Sequence, residues 1–243
     1  MLVLFDFKAA FPSVSHDFLK TSLNLLGLPQ HALNLIEALY DNNKCKVTFQ
    51  GKQYEGFDME SGVRQGCPIS PLLFAASVDI LLRILAKRLP GNSFRAFADD
   101  IGAVFSNWDQ ASPIAETIFK EFAEMSGLEL NISKTVCIPL WDENIQTIQQ
   151  RIKASRNMWS TVKVADKGKY LGFQIGPGSP GKSWDKPLLK YYSRCKQWGD
   201  LGLGTLFTAN AYNTFICSTL GFVAQLVPVD SQVIRPSKKA STE

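Results

Sequence analysis

The chain has 243 residues, of which 45% are hydrophobic, enough to bury a sizeable core as one large domain or two small ones. Its net charge of +4 is unevenly spread: residues 1–150 carry 12 Lys and Arg against 17 Asp and Glu, residues 151–196 carry 11 against 2, and the remainder balances. Five cysteines (Cys45, Cys67, Cys137, Cys195, Cys217), never in a C-x-x-C pair, exclude a disulfide framework and a zinc site and point to a reducing compartment, inside the cell.

Leu2 to Phe5 reads as a buried strand that stops at Asp6, too short for a secretory signal. Ser15 to Gly27 reads as a helix with a polar cap and a terminal glycine, and a second helix follows from Pro29. Lys44 to Gln50 and Gln53 to Met59 alternate as strands around a Gly51-Lys52 turn. A glycine-punctuated loop from Ser61 leads to Pro68, expected in the first turn of a helix that runs to Leu89. Phe94 to Phe97 and Ile101 to Phe105 read as strands flanking Asp99-Asp100. A helix follows over 109–127, with Asp109 and Gly127 as caps. Leu128 to Thr135 alternates like a strand and delivers Lys134 at its end. Lys169 to Ile175 is another strand candidate, and Gly176 to Gly181 is a linker before further helix.

Leu201 to Val229 carries no charged residue. Asn210, Asn213 and Gln225 favour a buried helix of a carboxy-terminal domain over a membrane span, so no membrane partner is expected. Residues 230–243 are expected to be a disordered tail. His16 and His31 are isolated and expected on helix surfaces, not as ligands. The element order predicts an α+β fold on the split βαβ plan, an antiparallel sheet backed by helices on one face.

The chemistry concentrates at two acidic stations. Asp6 ends one apolar strand, and Asp99-Asp100 interrupts a pair of others. A lone Asp after a strand also serves as a turn or cap residue, but two adjacent carboxylates suit a hairpin tip poorly. If the two segments are neighbours, three carboxylates meet, and their repulsion calls for cations. Hard oxygen ligands suit Mg2+ or Mn2+, in the arrangement of two-metal phosphoryl transfer. The basic stretch 151–196 fits either a nucleic-acid-gripping surface or a solvated face. Within it Lys186, Lys190 and Arg194 recur every four residues along one helix face, with Leu188, Tyr192 and Cys195 on another.

Taken together, these motifs resemble those of reverse transcriptases of the LINE type, carried by non-LTR retrotransposons. Phe5-Asp6-Phe7-Lys8-Ala9-Ala10-Phe11 resembles the first catalytic motif of the polymerase palm, and Gly62 to Phe74 the motif after the hairpin. Phe97-Ala98-Asp99-Asp100 is similar to the second catalytic motif. Gly127 to Thr135 and Tyr170-Leu171-Gly172 resemble the two that follow. The resemblance implies an RNA-directed DNA polymerase in which Asp6 and Asp99 hold two Mg2+ ions, with Mn2+ as a substitute, supported by Asp100 and the Phe7 carbonyl. It implies that Phe11 lies beneath the deoxyribose and rejects a 2'-hydroxyl, where the residue alone reads as an ordinary core phenylalanine. Gln65 and Gly66 would approach the nascent base pair, Gly66 because it lacks a side chain. Arg64 faces phosphate or forms a surface ion pair. Lys134 is either a cation near the leaving pyrophosphate, serving as general acid, or a solvent-exposed lysine. Tyr170, Leu171 and Gly172 would support the primer terminus, and Lys186, Lys190 and Arg194 the nucleic-acid backbone. The implied partners are an RNA template, a DNA primer and dNTPs.

The resemblance also implies a domain plan: a palm over 1–176 and a helical thumb-like region over 177–229. The family's palm is normally preceded by basic fingers, and this chain opens at the first palm motif. A fingers region or parent polyprotein is therefore expected as a further partner, and the chain reads as a truncated retroelement fragment. The alternatives are a catalytically incompetent nucleic-acid-binding remnant, an RNA-directed RNA polymerase, against which Phe11 argues, and a nucleotide cyclase, which the Gln65 loop and the basic stretch fit poorly.

Overall fold

The computed structural model describes residues 1–202 and 204–229, so the expected tail over 230–243 lies outside the described residues. The chain divides into two compact units, the first ending at Ala165 and the second beginning at Asp166.

The first unit is built on a five-stranded sheet, whose third strand is β1 (Leu2–Phe5). β1 runs antiparallel to β5 (Asp100–Val104) on one side and to β6 (Val136–Ile138) on the other. β4 (Ser93–Phe97) pairs antiparallel with β5, and β7 (Lys163–Val164) pairs parallel with β6. The sheet is therefore mixed, a correction to the wholly antiparallel one expected. The chain leaves β6, forms helix α6 (Ile145–Ala154) and returns to β7, and a crossover of this kind delivers a parallel neighbour. The register puts Val3 opposite Ala103 and Phe5 opposite Ile101. All four are core residues, so this face of the sheet carries the helices.

Those helices form where the caps are. In α2 (His16–Leu25) the Ser15 hydroxyl accepts from the Phe18 amide, and α3 (Gln30–Tyr40) follows Pro29 directly. α4 (Ser70–Arg88) has Pro71 in its first turn. Pro68 precedes that helix, because successive turns from Arg64 to Cys67 and from Cys67 to Ser70 take it up. In α5 (Trp108–Ser126) Asn107, not Asp109, supplies the cap by accepting from the Gln110 amide, and Gly127 ends the helix at φ 77°. The core closes on Trp159, fully buried, with Phe5, Trp108 and Phe119 ring centroids 5.8, 5.4 and 6.1 Å away. Its indole N–H donates to the Ser112 carbonyl at 2.8 Å. β2 (Lys44–Phe49) and β3 (Lys52–Asp58) make a separate hairpin.

The expected strand over 128–135 is absent. Leu130 makes a single bridge to Phe7, and the chain then turns over Ile132 to Lys134. The Asn131 carbonyl accepts from the Lys134 amide (3.1 Å), the Thr135 amide (3.0 Å) and the Thr135 hydroxyl (3.0 Å), diverting the backbone from a ladder.

In the second unit the expected single strand over 169–175 is a hairpin, β8 (Gly168–Tyr170) with β9 (Phe173–Ile175). Leu171 (φ 48°) and Gly172 (φ 90°) both take the positive φ that a tight two-residue turn demands. α7 (Asp185–Gly199) precedes α8 (Thr205–Ala211), a π-helical stretch over 212–217, and α9 (Ser218–Ala224). Trp184 packs with Val223, Leu188 and Leu220. The Tyr191 hydroxyl meets that of Tyr212 at 3.2 Å, and burial pushes its pKa far up. Among the described residues of the uncharged segment 201–229, a stripe is buried: Ala211, Ile216 and Val223 are covered, while Leu206 and Phe207 are about two-thirds exposed or more. No described helix is long and apolar enough to cross a membrane.

Candidate active site

The two acidic stations meet at one end of the sheet. Phe97 pairs with Asp100, so Ala98 and Asp99 are the two central residues of the β4–β5 turn, with Ala98 at φ 52°. The β1–β5 ladder ends at Phe5 opposite Ile101, and the next residues outward are Asp6 and Asp100. Because side chains alternate across a strand, both leave the face opposite to the one that buries Phe5 and Ile101. Asp99 and Asp100 are exposed, and Asp6 is half-buried. Among the described residues no three His, Cys, Asp or Glu side chains stand together closely enough to hold a metal. The carboxylates are neighbours on adjacent strand ends and do not form a closed ligand group.

The donor set nonetheless fits a hard divalent cation. Asp6 Oδ2 is buried and has no hydrogen-bond partner among the described residues, a costly state for a carboxylate oxygen. The Asp6 carbonyl accepts from the Asn131 amide at 2.7 Å, on the β6 side of the strand. By backbone alternation the Phe7 carbonyl is directed to the β5 side, that of the carboxylates.

Lys134 is brought to this place. Its ammonium lies 3.9 Å from Asp6 Oδ2, although the residue sits in a turn and not at a strand end.

The loop over 61–68 is anchored to the one-turn helix α1 (Ala10–Ser13) that follows Asp6. The Gly62 amide donates to the Val14 carbonyl (2.7 Å) and the Val63 amide to the Phe11 carbonyl (2.9 Å). A Cβ on Gly62 would lie 2.8 Å from the Pro12 carbonyl oxygen, so only glycine permits this approach. His16, expected on a helix surface, is half-buried, and its Nε2 meets the Gly62 carbonyl at 2.9 Å. Nothing in the sequence signals that role. The Phe11 ring stacks on Phe74 of α4, centroids 4.4 Å apart at 17°.

Beyond Val63, Arg64, Gln65 and Gly66 are exposed. Arg64 donates to Asn43 Oδ1 at 2.8 Å and lies over the Tyr40 ring, so its partners are a neutral amide and an aromatic face. Gln65 and Gly66 face solvent. A Cβ on Gly66 would touch no atom of the protein, and the φ of 86° favours glycine there.

The remaining candidates lie in the second unit. Tyr170, Leu171 and Gly172 form the tip of the β8–β9 hairpin. On α7, Lys186 and Lys190 are exposed, whereas Arg194 is half-buried and donates to the Phe215 carbonyl. The covered side of α7 runs through Leu188, Tyr191 and Cys195; Tyr192, expected there, is exposed. All five cysteines are free, and burial pushes the Cys137 thiol up to about 12.

Residues 1–175 match the family described as reverse transcriptase (RNA-dependent DNA polymerase). The chain is 28% identical over 180 residues to the retrovirus-related Pol polyprotein from type-2 retrotransposable element R2DM of Drosophila melanogaster, covering 70% of this chain and 17% of that protein. It is 35% identical over 135 residues to the Pol polyprotein from type-1 retrotransposable element R2 of Nasonia vitripennis, covering 55% and 13%. The chain thus spans about a sixth or less of the length of these relatives. Among solved structures, the telomerase of Candida tropicalis in complex with a TWJ fragment of telomeric RNA shares the fold, with a TM-score of 0.54 at 17% identity over 93% of this chain and 37% of that one. With the family match running from the first strand to the end of the β8–β9 hairpin, the chain belongs to the reverse transcriptase (RNA-dependent DNA polymerase) family, and its relatives lie among the non-LTR retrotransposons.

Proposed function

We propose that the chain is the palm and thumb portion of an RNA-directed DNA polymerase, extending the 3'-hydroxyl of a DNA primer with dNTPs along an RNA template. The observation that carries this reading is the placement of Asp6 and Asp100 side by side at adjacent strand ends, with Asp99 at the turn beside them. Asp6 and Asp99 hold two Mg2+ ions, or Mn2+ in their place, and Asp100 and the Phe7 carbonyl support them. When bound, such ions lower the pKa of the primer hydroxyl and screen the triphosphate and the leaving pyrophosphate.

The protein's own groups do the rest. Lys134, whose ammonium lies 3.9 Å from Asp6 Oδ2, offers a cation for the pyrophosphate and serves as its general acid. Gln65 and Gly66, exposed on a loop tied to the Asp6 segment, face the nascent base pair. The palm runs over 1–176 and includes the β8–β9 hairpin, whose Tyr170, Leu171 and Gly172 support the primer terminus. In the thumb-like region over 177–229, Lys186 and Lys190 give phosphate contacts without sequence preference. Arg194 contributes less, since its guanidinium is engaged with Phe215.

Phe11 supplies the discriminating test. Its ring is held by the stack on Phe74, so a nucleotide sugar meets a fixed wall there. Phe11→Val is expected to raise ribonucleotide incorporation relative to dNTPs by roughly tenfold or more, read by single-nucleotide primer extension with Mg2+. Unchanged sugar selectivity would remove Phe11 from the site. A wild-type preference for ribonucleotides would favour an RNA polymerase instead.

A further inference from the structure

Resting on the reading of Asp6 as a metal ligand, we propose that Lys134 is the internal counter-ion of Asp6, occupying the electrostatic place of a divalent cation and weakening metal binding until that cation displaces it. Asp6 Oδ2 is buried without a hydrogen-bond partner among the described residues. The Lys134 ammonium stands 3.9 Å away, beyond hydrogen-bond length, so the two make a charge contact and not a fixed bidentate pair. The lysine side chain is 70% exposed and can swing away without disturbing the core.

Its backbone cannot. Asn131 donates its amide to the Asp6 carbonyl and accepts the Lys134 and Thr135 amides on its own carbonyl. Its side-chain oxygen accepts from the Ser133 hydroxyl at 2.8 Å. The turn that carries Lys134 is thus fastened to the residue whose carboxylate the lysine faces, and Asn131 is the positioning residue for that contact. Lys8, two residues after Asp6, is differently engaged: Glu129 holds it at 2.9 Å. A cation displaced from Asp6 competes directly with an incoming one, so lysine and metal exclude each other by a coupling free energy set at this one carboxylate.

The experiment is a titration of the nucleotide-free chain with Mn2+, following free ion by electron paramagnetic resonance. Lys134→Met is expected to bind Mn2+ about tenfold more tightly than the unmodified chain, within the usual span of such couplings. Lys8→Met, which removes the same charge from the neighbouring pair, is expected to gain less than twofold. Adding Asp6→Asn to Lys134→Met should abolish the gain. Equal or weaker binding by Lys134→Met, or a gain no larger than that of Lys8→Met, overturns the proposal while leaving Asp6 a ligand. Mn2+ binding indifferent to Asp6→Asn in every background overturns the metal assignment as well.

Discussion

Asp99→Asn is expected to lower primer extension by roughly 10³-fold or more, with the thermal midpoint of unfolding nearly unchanged. Asp99 is exposed at the centre of a two-residue turn, so it contributes little to the core. The substitution keeps the volume and removes one carboxylate charge, and that charge is what the proposed site requires. Asn also tolerates turn conformations, so the hairpin geometry is preserved. The check is single-turnover extension in Mg2+ alongside a melting curve, on a form of the chain that extends a primer. Activity within tenfold of the unmodified protein would contradict the role given to Asp99.

The largest effect on stability is expected at Trp159. Trp159→Ala empties the centre of the aromatic group formed with Phe5, Trp108 and Phe119, and also removes the indole bond to the Ser112 carbonyl. Truncation of a fully buried aromatic of this size costs about 3–5 kcal/mol. Because Phe5 leans on this ring and precedes Asp6, the loss extends to the end of β1 and to the carboxylate it carries. Urea denaturation monitored by near-ultraviolet circular dichroism gives the measurement, and a loss below about 1 kcal/mol would show that the pocket repacks.

How much of this was legible beforehand depends on how local each signal is. β1, α2 and the turn at Asp99 are written in contiguous residues, an apolar run closed by Asp6, a Ser15 cap, two strands abutting a carboxylate pair. They form where those signals stand. Leu128 to Thr135 alternates convincingly, yet the alternation loses to the capture of the Asn131 carbonyl by Lys134 and Thr135. The run from Lys169 to Ile175 breaks because Leu171 adopts a positive φ, which a leucine does not advertise. The parallel strand β7 is two residues long and paired across a helical crossover, so nothing near it in the chain specifies its partner. Trp159 lies in a four-residue turn, Met158–Thr161, too short to show an apolar period, and only the tertiary fold makes it the core's centre.

The site divides in the same way. Asp6, Asp99 and Asp100 were readable because charges at the ends of buried strands ask for a reason. That Lys134 faces Asp6 follows from a turn 125 residues or more further along, and that His16 braces Gly62 follows from the packing of α2 against the loop. Arg194 shows the converse: a regular basic row on a helix face, one member of which is drawn off by the Phe215 carbonyl.

The central claim is that Asp6 and Asp99 hold catalytic cations together. Its most direct test is a crystal structure of the chain with primer, template, dNTP and Mn2+, in which anomalous scattering locates the ions. Manganese density shared by the Asp6 and Asp99 carboxylates beside the primer terminus is the expected result. Manganese bound elsewhere, or bound at the terminus without both carboxylates, would contradict it.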